Sequence, residues 1–173
     1  MAVTPPPDVI DGLRPNRASV VHHEAGHALV AALHDLPIKH LEVGYAKGGL
    51  FTTWYTVTGV LRMTHDTDDN PLEQALTGAA GVIAEAVHRR AVDGGRLPAR
   101  IKEARRRNND VEGLNDKKLV AKYARLAGLS DDKVFERALP LVLDRWSTVE
   151  DLAAELDATG KLDARRIRRV VGV

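Results

Sequence analysis

Residues 20–33, VVHHEAGHALVAAL, contain two histidines four positions apart, with a glutamate directly after the first of them. On a helix, positions i and i+4 lie on one face, so His23 and His27 can place two imidazoles on one metal ion. Glu24 lies about 100° around the helix from His23, where its carboxylate can reach a water on that metal without binding the metal. Two ligands and a base in this order are the pattern of zinc-dependent peptide hydrolysis. The spacing therefore predicts a catalytic zinc site.

The residues around this motif favour a buried site over a solvated one. Ala25, Gly26 and Ala28 are small, and the segment that follows is apolar. Polar side chains within such a helix are costly to bury unless a ligand or partner satisfies them. A surface helix with hydrated histidines is the alternative, and it does not explain apolar residues on nearly every side.

The third ligand must be another histidine, an aspartate or a glutamate, because the chain has no cysteine. His34 is seven residues beyond His27, about 10 Å along a helix axis, so it cannot share the metal. His22 points about 100° away from its neighbour His23. Leu33 occupies the third-histidine position of the H-E-x-x-H-x-x-G-x-x-H pattern, which excludes that class. Among downstream glutamates, Glu85 is the nearest candidate.

The elements that must position these residues are mostly helical. Apolar spacing predicts a first helix from Ala18 to about Leu36, ended by Pro37. Alternating β-branched and aromatic residues at 38–60 predict two or three short strands with tight turns. Further helical patterns follow at 72–90, 99–107, 116–127, 131–144, 147–158 and near the C-terminus. The fold class is therefore mainly α (α+β), with a small sheet or hairpin early in the chain.

Length and composition limit the other functions. The 173 residues fit a single domain at 18–173, preceded by a flexible proline-rich arm at 1–17. The net charge of +1 argues against nucleic acid as a partner, and the basic run at 100–108 is typical of a solvated helix face. No segment resembles a secretory signal or a membrane span, so we expect a soluble, cytoplasmic protein with no membrane partner.

Three stretches together resemble the peptidase domain of the FtsH family of zinc metalloproteases. HHEAGHALVAAL carries that family's His-Glu-x-Gly-His-Ala motif, LTGAAGVIAEAV is similar to its glycine- and alanine-rich helix, and NNDVEGL is similar to a later landmark. The resemblance implies Zn²⁺ as cofactor and, as third ligand, an aspartate that follows an asparagine at the start of a later helix. Asp110 is the preferred match. Asp116 belongs to a second Asn-Asp pair and heads a more helical segment, and Glu85 ranks behind both.

The resemblance implies an endopeptidase with Glu24 as the base, acting on unfolded or flexible polypeptide or on one protein partner. The chain contains no G-x-x-x-x-G-K-[ST] phosphate loop, so we expect a stand-alone, ATP-independent enzyme. FtsH peptidase domains form rings, which makes a homo-oligomer an expectation too. An extended substrate would lie along an exposed strand. The residues expected to contact it are Gly48, Gly49, Leu50, Phe51 and Thr52.

Two other functions fit the same residues. One is a non-catalytic protein-interaction module that keeps the peptidase fold and a structural zinc. A purely structural site has no use for Glu24, which argues against it. The other is a compact metalloprotease that cleaves a repressor, which shares the chemistry and differs only in substrate.

Overall fold

The computed structural model describes residues 17–47, 55–63, 69–107 and 116–173. Within these ranges the chain is mainly helical with one small antiparallel sheet, as the sequence predicts. The helices are α1 (Arg17–Leu33), α2 (Pro71–Asp93), α3 (Leu97–Arg107), α4 (Asp116–Leu126), α5 (Asp131–Leu143), α6 (Trp146–Thr159) and α7 (Ala164–Val171). The strands are β1 (Ile38–Lys47), β2 (Tyr55–Met63) and β3 (Lys161–Asp163).

Helices α1 and α2 form the centre of the molecule. Both are buried along most of their length, because their surfaces consist largely of alanine, glycine and β-branched residues. A methyl group at Gly26 of α1 would lie 2.5 Å from the Ala80 carbonyl oxygen of α2, so the two backbones touch here. At Gly78, a methyl would lie 2.9 Å from a methyl of Val120 on α4. Close helix packing therefore explains why glycine stands at these two helical positions.

The sheet packs beside α1 in the order β2-β1-β3. Leu41 of β1 is paired with Leu61 of β2 on one side and with Leu162 of β3 on the other. The two early strands confirm the predicted hairpin region, whereas β3 comes from the C-terminal part of the chain and was not predicted. Among the described residues β2 is an edge strand.

Helices α5, α6 and α7 complete the core with inward-facing aliphatic side chains, among them Val134, Leu152 and Ile167. Ser130 is the N-cap of α5 and accepts a hydrogen bond from the Lys133 amide, which is the role its sequence position favours. No helix in the described ranges is both long enough and apolar enough to cross a membrane.

Candidate metal centre

The two histidines of the motif lie inside the protein, on the face of α1 that meets α2 and α4. His23 and His27 are 9% and 7% exposed. Their rings meet edge to face with centroids 4.6 Å apart, and their Nε2 atoms are 2.9 Å apart. The helical i, i+4 spacing therefore brings both imidazoles to one point, as the sequence predicts.

A backbone carbonyl and a glycine of α2 position His27. Its Nδ1 donates a hydrogen bond to the Thr77 carbonyl oxygen at 2.7 Å, which leaves the lone pair on Nε2. The ring lies directly over Gly81, where a methyl group would come within 2.4 Å of Cε1 and Nε2. Only glycine at this position leaves room for the imidazole. The small-residue pattern of α2 thus serves the site as well as the helix packing.

A carboxylate holds the outer nitrogen of His23. Its Nδ1 lies 3.4 Å from Oε2 of Glu85, and Glu85 in turn accepts a hydrogen bond from Nε of Arg89 at 3.1 Å. A histidine whose Nδ1–H faces a carboxylate presents Nε2 as an acceptor and is held in one orientation. This is the usual arrangement around a metal-ligating imidazole. Glu85 therefore lies behind His23, on the side away from His27.

Asp116 completes the group. It is the first residue of α4 and is 9% exposed. Its Oδ2 lies 2.9 Å from Nε2 of His23, and its Oδ1 lies 3.5 Å from Nε2 of His27. The ligand atoms of the three residues all lie within 4.8 Å of one another. This buried group could hold a metal ion.

The donor set fits a divalent cation on two counts. Ligands that are each about 2.0–2.1 Å from a tetrahedral zinc lie about 3.3 Å from one another, close to the 2.9 and 3.5 Å seen here. In addition, two imidazole lone pairs and a carboxylate converge in a buried space. They repel one another unless a proton or a metal ion lies between them.

The pKa shifts within the group also indicate that positive charge is stabilised there. Burial opposes protonation of His23, but the carboxylates of Asp116 and Glu85 outweigh it and raise the pKa of His23 well above its ordinary value. The pKa of His27 is also raised, since Asp116 outweighs the effect of burial. Conversely, the two histidines outweigh burial at Asp116 and hold the pKa of that carboxyl far below its usual range.

Glu24 lies beside the group without joining it. It is 2% exposed, and burial raises the pKa of its carboxyl although both histidines partly offset this. Gly59 on β2 makes room for it, because a methyl there would lie 2.4 Å from Cγ of Glu24. The carboxylate accepts a hydrogen bond from the backbone N–H of Leu61, while Oε2 has no hydrogen-bond partner within the described part of the chain. A buried oxygen in this state is suited to a ligand or a reacting water.

The structure thus brings His23, Glu24, His27 and the alternative ligand Asp116 together, and it places Glu85 on the outer nitrogen of His23. Asp110, preferred from the sequence, lies outside the described residues. The predicted substrate-contacting residues lie outside them too, namely Gly48, Gly49, Leu50, Phe51 and Thr52.

Two other histidines, His22 on α1 and His34 just after its end, lie away from this group. His22 stacks on His88 with ring centroids 3.9 Å apart, and its Nδ1 bonds the Ala18 carbonyl. His34 follows the end of α1 and takes no part in the group. Sequence reasoning missed Thr77 and the role of Gly59, because a backbone carbonyl and a missing side chain leave no chemical signature in a sequence.

No protein-family model matches this sequence, and no curated protein matches it either. The resemblance to FtsH peptidases therefore rests on the quoted residues, principally those from His23 to Ala28. The structure adds a buried group of two histidines and one aspartate that could hold a metal ion.

Proposed function

We propose that this protein is a zinc-dependent endopeptidase of the FtsH type that works without ATP. One observation carries the proposal. The Nε2 atoms of His23 and His27 and the carboxylate of Asp116 converge in a buried space, with the unpartnered Oε2 of Glu24 beside them. Three protein ligands with a separate base beside them are typical of a catalytic metal site, whereas a structural zinc is coordinated by four protein ligands.

The ligand types favour zinc. Two imidazoles and one carboxylate suit a borderline metal, whereas magnesium and calcium prefer an all-oxygen environment. His23, His27 and Asp116 would hold the ion. Thr77 and Glu85 would hold the two imidazoles in the orientation that directs Nε2 inward. When bound, the metal supplies Lewis acidity, which polarises a peptide carbonyl and acidifies a water molecule.

Glu24 is the general base in this scheme. In the metal-free protein, burial raises the pKa of this carboxyl, so Glu24 accepts a proton more readily than a hydrated glutamate does. Its Oε2 has no competing partner in the described residues, so it can accept a proton from the attacking water. The same oxygen then donates that proton to the nitrogen of the leaving amine, which returns Glu24 to its carboxylate form.

An extended substrate fits the edge of the sheet. Strand β2 is an edge strand in the described ranges and approaches Glu24 at Gly59 and Leu61. A peptide that adds to this edge would gain main-chain hydrogen bonds with little demand on its sequence. That mode of binding suits unfolded or flexible polypeptide.

Two measurements on one set of variants test the proposal. The zinc content of the parent is determined by elemental analysis beside Asp116→Asn and Asp110→Asn. Cleavage of a dye-quenched unfolded protein is measured for the parent, for Glu24→Gln and for the exposed control Glu150→Gln. We expect about one zinc per chain, lost in Asp116→Asn. Glu24→Gln should keep its zinc and lose activity by about 10²-fold or more, as removal of a general base does.

Several results would contradict the proposal. Zinc that stays bound in Asp116→Asn and leaves in Asp110→Asn would assign the third ligand to Asp110. Zinc bound by a parent that cleaves nothing would favour the non-catalytic interaction module. A parent that takes up no zinc at all would remove the metallopeptidase altogether.

A further inference from the structure

A cavity of about 290 Å³ lies next to the metal centre, between α2, α3, α4 and α5. Its apolar lining comes from Val82, Val120 and Phe135. Small-ligand pockets usually measure about 300–1,000 Å³, so this one has room for a side chain or a short chain end rather than for a folded partner.

The rim of the cavity is strongly basic. Its charged lining residues are Lys102, Arg105, Arg106 and Lys117, against Asp116 and Asp131. The Asp116 carboxylate is directed at the two histidines, so it does little to neutralise the rim.

Three of the four basic side chains that line the cavity form no ion pair with a described residue. Arg105 is committed in part, since it pairs with Asp132 at 2.9 Å and its guanidinium lies 4.4 Å from the centre of the Phe135 ring. Lys102, Arg106 and Lys117 form no ion pair with any residue in the described ranges. A positive potential over an apolar floor selects a ligand with an anionic group and an apolar stem.

The cavity shares its walls with the metal centre. Asp116 lines the cavity and also contacts both histidines. On α2, the lining residue Val82 follows Gly81, on which the His27 ring rests. A group bound in this cavity would therefore lie next to the proposed metal centre.

We propose that this cavity is a specificity subsite that accepts a carboxylate of the substrate polypeptide, close to the bond that is cut. The carboxylate belongs either to an aspartate or glutamate side chain or to the C-terminus of the substrate. The inference rests on the proposed peptidase function, for which it names the preferred substrate class. Nucleic acid is a poorer fit, because Asp131 and Asp132 interrupt the basic surface and the space is too confined for a phosphate backbone.

The test uses short fluorogenic peptides that differ at one position, which is glutamate, glutamine or lysine. Each is made with a free and with an amidated C-terminus, so that the two sources of carboxylate are separated. Cleavage is measured as kcat/KM with the zinc-loaded parent. Binding of the same peptides is measured separately by fluorescence anisotropy with zinc-loaded Glu24→Gln, which removes catalysis from the readout. A single-stranded oligonucleotide is included as a competing anion.

The variants for this test reverse the charge of basic residues at the rim of the cavity. Lys102→Glu and Arg106→Glu alter exposed cavity residues, and Arg165→Glu on α7 is the control with the same charge change at a distant exposed position. We expect the parent to prefer carboxylate-bearing peptides by roughly three- to tenfold in kcat/KM and in binding. The preference should shrink or invert in the two rim variants, persist in Arg165→Glu, and weaken at high ionic strength.

The outcomes separate the two proposals. A parent that cleaves all peptides equally, or whose preference survives both rim variants, overturns the subsite. A parent that cleaves nothing overturns the proposed function, while the anisotropy data still decide whether the cavity binds carboxylates. Tighter binding of the oligonucleotide than of any peptide, lost in the rim variants, would assign this surface to nucleic acid and overturn the subsite.

Discussion

Replacing Gly81 with alanine should disrupt the proposed metal centre without altering any of its candidate ligands. The added methyl would lie 2.4 Å from Cε1 and Nε2 of His27 and 2.8 Å from its Nδ1. Ordinary contacts begin at 3.4 Å, so the ring must retreat by about 1 Å. It cannot retreat freely, because its Nδ1 is bonded to the Thr77 carbonyl and the backbones of α1 and α2 touch nearby.

The size of the effect follows from this displacement. Metal–ligand distances tolerate only about ±0.2 Å, so a shift of about 1 Å takes Nε2 out of bonding range. We expect zinc affinity to fall by at least the 10- to 100-fold that is typical when the positioning of a ligand is lost. The free energy of unfolding should change less than the free energy of zinc binding. Overpacking costs about 1–3 kcal/mol, and the better helix propensity of alanine returns about 1 kcal/mol.

Zinc affinity is measured by competition with a chromophoric chelator, and folding is checked by circular dichroism and urea unfolding. Gly44→Ala is the control, because a methyl there would meet no described atom within 4 Å. It should bind zinc like the parent. If a folded Gly81→Ala protein binds zinc within about twofold of the parent, His27 does not hold the ion in the orientation seen here, and the assignment of the site is wrong.

Two further predictions concern the base and the protons of the site. Gly59→Ala should displace Glu24, because the new methyl would lie 2.4 Å from Cγ of that side chain. We expect kcat to fall while the zinc content stays unchanged. Loss of zinc would instead mean that β2 positions the metal ligands. In the metal-free protein, the raised pKa values of His23 and His27 contribute stability below their unfolded value of about 6.5, and this is lost as pH rises through their folded values. The free energy of unfolding in urea should therefore decline from pH 6 to 9 without zinc, and decline less with zinc. A metal-free protein whose free energy of unfolding stays constant or rises over this range would contradict the electrostatics of the group.

Much of the helical framework can be read from the sequence, and local rules explain why. Ser130 caps α5 because its side chain bonds a backbone amide within the same turn. Ser147 does not cap α6 in this way, since α6 begins one residue earlier, at Trp146, with Arg145 as the N-cap. Ser19 is not a cap either, because it lies inside α1 rather than at its start. Tertiary packing of an apolar helix outweighs the weak preference of one capping residue.

Strand β3 shows a different limit. Its three residues, Lys161–Asp163, carry no pattern long enough to predict a strand. They become one only because β1 offers a free edge, to which the backbone from Gly160 onwards is bonded. Pairing between residues this far apart depends on the arrangement of the whole chain.

By itself, the sequence determined that His23 and His27 lie on one helical face with Glu24 beside them, since i, i+4 geometry depends only on the helix. The third carboxylate was open among Asp110, Asp116 and Glu85, because residues far apart in the chain meet only through packing. In the structure, α4 packs on the glycine surface of α2 and brings Asp116 to the histidines, while Glu85 on α2 itself reaches only the outer nitrogen of His23. Only the tertiary structure brings the Asp116 carboxylate to the two lone pairs, and only it forms the basic cavity next to them.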